Sequence, residues 1–296
     1  MITSDRFLEL ERLPARIVMV GGGYIAAEFS HIAARAGTTV TVLQRAERML
    51  TRFEPELVGW LMEKFAEIGV EVRTGTVVEA IEEVDSGFRV YGRKGTEETA
   101  IEADLVVHAA GRVPDLDLNL SAAGIAVENG RLALNEFLQS VSNPTVYAAG
   151  DSAAKGPPLT PVSSHDGKVV AVNLIEGNRH RPDYRGVPSV AFSLPPIAAV
   201  GMSEVAARAA GLAFRVDYRN VPDWFTAHRV GETVYAYKTL IEEGSGRILG
   251  AHLVGPHVDE VINLFALAIR SDLTAEDLRQ TIFAYPTGAS DIGSML

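Results

Sequence analysis

Arg16-Ile17-Val18-Met19-Val20-Gly21-Gly22-Gly23-Tyr24-Ile25-Ala26-Ala27-Glu28 sets the architecture: a five-residue apolar strand pattern enters a glycine turn and leaves as an apolar helix. Within its G-x-G-x-x-A spacing, Gly21 allows the tight turn and Gly23 lets bare backbone approach a pyrophosphate. Small Ala26 lets the helix pack on the strand, with its N-terminal N–H groups facing the anion. A bare glycine pattern of this kind is weak. Here the strand before it and the helical pattern after it, Tyr24 to Ala36, supply the required context. The implied ligand is a nicotinamide dinucleotide.

Around this turn, residues 16 to 112 read as one nucleotide-binding domain. Strands are expected at 16–20, 39–43 and 70–73, and a helix at 55–68 with Leu57, Trp60, Leu61 and Phe65 on one face. An antiparallel insertion follows (77–84, 88–93, 98–101), with turns at Asp85-Ser86-Gly87 and Lys94-Gly95. The run from Asp104 to Gly111 is apolar enough for a strand buried on both faces, and it ends in glycine at the edge where such sheets bind ligands. From Val187 the pattern becomes antiparallel strands (189–192, 234–242, 248–254) with helices at 203–210, 258–269 and 275–280. The fold class is therefore α/β, with an α+β domain at the end.

Composition narrows the function. The chain has 296 residues, 47% of them hydrophobic, a formal net charge of −11 and no cysteine. The negative charge argues against nucleic acid and anionic membrane as partners. No segment has the length of a spanning helix, and the first residues are too charged for a signal peptide, so the expected location is cytoplasmic. Without cysteine there is no disulfide, thiolate zinc site or cysteine nucleophile in these residues. No metal site is expected, since His165, Asp166 and His180 lack ligand spacing and read as helix start and loop. Trp224-Phe225 beside His228-Arg229 reads as domain packing, and no G-x-S-x-G elbow supports a serine hydrolase.

The end of the second strand bears on the choice of nucleotide. An acidic residue there holds the ribose of NAD, whereas arginine accepts the 2′-phosphate of NADP. Here Gln44-Arg45 occupy the position, with Arg48 and Arg52 continuing on one face if the segment is helical. A guanidinium can pair with phosphate through two parallel bonds. NADPH is therefore expected, with NADH as the alternative.

The order of these pieces resembles the FAD-dependent pyridine nucleotide-disulfide oxidoreductases, the family of glutathione reductase, dihydrolipoamide dehydrogenase and mercuric reductase. The resemblance rests on Gly21 to Glu28, Ala110-Gly111-Arg112-Val113-Pro114, Val146-Tyr147-Ala148-Ala149-Gly150-Asp151, Leu159-Thr160-Pro161-Val162 and Tyr285-Pro286-Thr287. It implies three parts: a Rossmann-like nicotinamide-binding domain with its antiparallel insertion (1–112), a returning segment of an FAD-binding domain (113–180) and a dimerisation domain (181–296). It implies FAD and NADPH as cofactors, a homodimer, and a small-molecule or disulfide substrate. Gly21, Gly23, Tyr24, Ala26, Gln44, Arg45, Gly111 and Arg112 would serve the nicotinamide cleft, Asp151 would bind a ribityl hydroxyl, and Thr160 would sit by the flavin ring. Tyr24 would lie over the isoalloxazine and move aside for nicotinamide. Glu28 resembles the glutamate that orients a lysine near the flavin.

Two departures limit what the resemblance carries. The first half of the family's FAD domain, with its own glycine fingerprint and redox cysteine pair, has no counterpart before the turn at Gly21. The sequence thus resembles the C-terminal part of a longer enzyme, whether truncated, excised or split, and apolar side chains between 113 and 180 are expected to be exposed. Second, Tyr285 stands where disulfide reductases place a histidine base, as in mercuric reductases; a tyrosine donates a proton but is a poor base at neutral pH. The expected activity is hydride transfer from NADPH to flavin and onward to a disulfide or related acceptor. The alternatives are a silent nicotinamide-binding and dimerisation module, a mercuric-reductase-like enzyme, or a flavin reductase or oxidase without thiols.

Overall fold

The apolar run Arg16–Val20 forms strand β1, and Ile17, Val18 and Met19 are buried, as the interior strand of a parallel sheet must be. The computed structural model describes residues 1–296. A short helix α1 (Ser4–Leu8) precedes β1, its Phe7 stacked on Phe29 with ring centroids 4.4 Å apart. After the glycine turn come α2 (Tyr24–Arg35), β2 (Thr39–Leu43), α3 (Pro55–Glu67) and β3 (Val70–Arg73). The insertion β4 (Val77–Val84), β5 (Gly87–Lys94) and β6 (Glu97–Ala103) leads into β7 (Leu105–His108). The parallel sheet has the order β3-β2-β1-β7, while β4-β5-β6 form a separate antiparallel sheet. Ile2 adds a parallel bridge on the outer edge of β7.

The chain divides into two compact units, Met1–Gly111 with Pro188–Leu296 and Arg112–Val187. The second unit holds the two-residue strands β8 (Val127–Glu128) and β9 (Arg131–Leu132) and the helix α4 (Thr160–Glu176) around Leu134, Leu138, Ala153 and Val169. Val113, Leu118, Val141, Leu174 and Ile175 are exposed, in line with the expectation for this segment.

The first unit continues through β10 (Ser189–Ala191), β11 (Ile197–Gly201), α5 (Glu204–Ala209), β12 (Phe214–Asn220), α6 (Phe225–His228), β13 (Ala236–Glu242), β14 (Ile248–Val254), α7 (Val258–Arg270) and α8 (Ala275–Gln280). Its antiparallel sheet has the order β10-β11-β14-β13-β12. Strands β11 and β12 are additions to those expected from sequence. β11 is short and alanine-rich, a poor strand signal; β12 alternates Phe214, Val216 and Tyr218 with polar residues, a period-two pattern that does signal a strand. Trp224 packs between Tyr235 and Tyr237 at 6.0 and 5.8 Å, whereas its neighbour Phe225 is exposed. No helix is long and apolar enough to cross a membrane.

Charge, as well as apolar packing, ties β13 to the start of α3 and to α5 in this unit. Lys238, in the middle of β13, is 1% exposed, and its Nζ lies 2.7 Å from Glu54, 2.9 Å from Glu56 and 2.6 Å from Glu204. Glu54 also accepts a hydrogen bond from the Glu204 N–H at 3.0 Å. His252, the cross-strand partner of Lys238, is buried, with Nε2 donating to the Met202 carbonyl and Nδ1 unpartnered.

Burial pushes the pKa of His252 down, and that of His31 likewise. Both are therefore neutral in the fold, while the unfolded chain binds protons as pH falls below about 6.5. A depressed folded pKa gives stability that is present above the unfolded value and lost on acidification. Urea unfolding is expected to give a lower free energy at about pH 5.5 than at about pH 7.5, with a smaller difference in His252→Gln.

Candidate nucleotide-binding site

The turn after β1 separates the roles of its glycines. Gly21 has φ +105°, and a Cβ there would lie 2.5 Å from the Ala109 carbonyl oxygen. The bare carbon is thus required by the fold itself. Gly23 differs: a Cβ would meet nothing in the chain nearer than Ala109 O at 3.9 Å. Space above Gly23 is open at the N-terminus of α2, whose N-cap makes no side-chain hydrogen bond. Such free N–H groups are suited to an anion. Gly111 lies past the end of β7, exposed at φ +119°, and a Cβ there would meet nothing within 4 Å.

Ala26 is completely buried against the sheet, so it acts on any nucleotide through packing. Gln44 is committed to the turn: its Oε1 accepts from the Gly22 N–H at 3.2 Å and its Nε2 donates to the Arg48 carbonyl at 3.1 Å. The expected helical face of Arg45, Arg48 and Arg52 does not exist, because residues 44–54 form a loop. Leu50 takes φ +46° and donates its N–H to Gly22 O at 2.8 Å, and Met49 and Leu50 are buried, which draws the segment inward as a loop over the glycines. Arg45 and Arg52 remain exposed on it. Arg48 donates to Thr51 O at 3.2 Å, while its buried Nε has no partner. An unsatisfied guanidinium donor in this loop fits an anionic ligand.

Tyr24, Glu28 and His31 follow one face of α2 at helical spacing and reach the antiparallel domain together. The Tyr24 hydroxyl engages Ser189, and burial holds its pKa above that of a free tyrosine. Glu28 Oε1 accepts from the Phe192 N–H at 3.0 Å, and His31 Nε2 donates to the Phe192 carbonyl at 3.0 Å. The Tyr24 ring leans on Phe53 at 5.6 Å. Sequence reasoning misses Phe53, Ser189 and Phe192, which carry no motif of their own.

Residues 1–167 match the pyridine nucleotide-disulphide oxidoreductase family, and residues 187–296 match the dimerisation domain of the same family. The chain belongs to this family. It is 34% identical over 296 residues to a mercuric reductase of Staphylococcus aureus, covering 98% of this chain but 53% of that protein. A 19.7 kDa protein of a Staphylococcus aureus mercuric resistance operon is 49% identical over 180 residues, 60% of this chain and 100% of that one. The solved HOCl-induced flavoprotein disulfide reductase RclA from Escherichia coli superposes with a TM-score of 0.88 at 28% identity, covering 99% of this chain and 67% of that one. The chain thus spans about half the length of the mercuric reductase it matches.

Members of the pyridine nucleotide-disulphide oxidoreductase family are FAD-dependent, and in the second unit two residues bear on that cofactor. Asp151 is an exposed carboxylate in the middle of the short 3-10 turn Gly150–Ser152, directly after Gly150, whose N–H donates to buried Asp166 at 3.0 Å. Thr160 is exposed at the first position of α4, whose N-cap Leu159 offers no side-chain acceptor. An exposed acceptor and an uncapped helix start are a donor and acceptor set that fits a hydroxylated, phosphorylated cofactor. Asp166, read as a helix-start residue, is instead buried within α4 and also accepts from Tyr184 at 2.9 Å. Arg112 is exposed in this unit. In the other unit, Tyr285 is 75% exposed, its ring 6.0 Å from that of Phe225.

Proposed function

We propose that this chain provides the nicotinamide-nucleotide site, the returning part of an FAD site and the dimer-forming domain of an NADPH-dependent flavoprotein oxidoreductase acting on a disulfide or related acceptor. The observation that carries the reading is the open backbone at Gly23 beside a loop bearing Arg45 and Arg52. The N–H groups at the start of α2 would hold the pyrophosphate, and Arg45 with Arg52 the 2′-phosphate. When bound, FAD would supply the redox chemistry by accepting hydride from the nicotinamide. Tyr24 would cover that position with its ring and swing away as nicotinamide enters, leaving Ser189. Glu28 would hold the Phe192 backbone in place, and Asp151 and Thr160 would bind the ribityl chain and ring edge. Tyr285 would donate a proton to the acceptor through its hydroxyl.

Exposed Phe225, Val230, Leu267, Ile282 and Tyr285 in the last domain support a homodimer, for which gel filtration at twice the chain mass is the expected result. The absence of cysteine supports a second reading, a nucleotide-binding and dimerisation module without turnover. A spectrum separates the two: flavin absorbance near ~450 nm with NADPH oxidation supports the enzyme, and nucleotide binding without either supports the module. For the arginine assignment, Arg45→Ala/Arg52→Ala is expected to weaken NADPH by roughly tenfold to a hundredfold, the worth of lost charge-assisted bonds, while leaving NADH binding near its starting value. Equal effects on the two nucleotides in calorimetric titration would contradict it.

A further inference from the structure

The arginine loop ends in an unusual helix start. Glu54 is the N-cap of α3, yet its carboxylate caps nothing in its own helix. It turns instead toward the antiparallel domain, 2% exposed, to meet Lys238 Nζ and the Glu204 N–H. Glu56, two residues on, meets the same ammonium. Lys238 is a fixed point, since β13 is paired along its length with β12 on one side and β14 on the other. Phe53, buried between Glu54 and the loop, is the ring against which Tyr24 leans, and exposed Arg52 comes just before it.

We propose that Lys238 is a positioning residue for nucleotide selection: by drawing Glu54 and Glu56 onto the antiparallel sheet it sets where Arg52 and Phe53 stand. Without the ammonium, three carboxylates converge at one point and repel each other, so the start of α3 moves and carries the loop with it. The other end of the loop, tied by Gln44 to Gly22, stays anchored. The consequence is felt by the part of a nucleotide that lies on the loop, the 2′-phosphate, more than by the pyrophosphate on the glycine turn. This inference rests on the 2′-phosphate reading above.

The test compares wild type, Lys238→Met, Lys238→Arg and Glu54→Gln, the last chosen because its amide still accepts from the Glu204 N–H and so preserves folding if Lys238→Met does not. Calorimetric titration gives the NADPH and NADH dissociation constants, and amide hydrogen exchange follows residues 48–53. In the folded variants Lys238→Met and Glu54→Gln, NADPH is expected to weaken about tenfold, NADH by less than about twofold, with faster exchange in the loop; Lys238→Arg restores the preference. Weakening of both nucleotides to the same degree would reduce the lock to a stability element and overturn the inference, as would unchanged exchange in 48–53. Wild-type protein that binds the two nucleotides equally would overturn the 2′-phosphate reading by itself, and the loop exchange alone would then decide the lock.

Discussion

Gly21→Ala is expected to prevent stable folding, whereas Gly23→Ala, two residues on, is expected to leave the fold intact and weaken nucleotide binding. At Gly21 the added methyl would stand 2.5 Å from Ala109 O and 2.6 Å from Ala110 Cα, all backbone atoms. Ala109 cannot retreat, because its N–H donates to Val20 O at 2.8 Å in continuation of the β1–β7 ladder. A strained positive φ costs about 1–3 kcal/mol and overpacking a similar amount, so the sum of about 2–6 kcal/mol is a large share of the ~5–15 kcal/mol that holds a domain together. At Gly23 the methyl meets only ordinary contact distance within the chain. It stands instead where phosphate oxygens would lie, at a cost of about 1–3 kcal/mol, or roughly 5- to 150-fold in the dissociation constant. Thermal melts and nucleotide titrations of the two variants check both halves. A stable Gly21→Ala protein, or a Gly23→Ala protein that binds as wild type does, would remove the physical basis for assigning the two glycines different work.

Lys238→Met is expected to lose about 3–5 kcal/mol of unfolding free energy, the usual result of removing one member of a buried ionic group. Glu54 is almost wholly buried and would lose the ammonium 2.7 Å away, while Glu204 would retain Arg208 as a partner. Most of the loss therefore falls on Glu54. Because burying a charge network is itself costly, a combined Lys238→Met/Glu54→Met variant is expected to recover much of the deficit. Urea denaturation of the two variants checks this, and additive losses in the double variant would contradict a shared origin.

The parts of this molecule that announce themselves in sequence are those whose physics is local. The strand before Gly21, the turn and α2 are fixed by β-branched residues, bare backbone and an alanine-rich face within a short span. Most of the strands and helices expected up to residue 112 begin and end within a residue or two of those observed. The arginine loop departs from its expected helical face because its path depends on Leu50 at positive φ and on a Gln44 side chain folded back onto Gly22. Neither has a periodic signature. The Lys238 cluster is invisible in sequence for a different reason: Glu54 and Glu204 are 150 positions apart, and only the folded sheets bring their charges together. Tyr24 and Glu28 can be singled out by motif, but their partners Phe53, Ser189 and Phe192 belong to segments that only the fold brings beside α2.

If the pyrophosphate of a nicotinamide nucleotide rests on the backbone at Gly23 and the start of α2, backbone amide NMR of the folded chain during NADPH addition will report it. The largest saturating shifts are predicted at Gly23, Tyr24 and Ile25, with smaller ones along residues 45–52. Saturable binding that leaves those three amides unmoved, or no binding by the folded protein, would refute this placement and the function built on it.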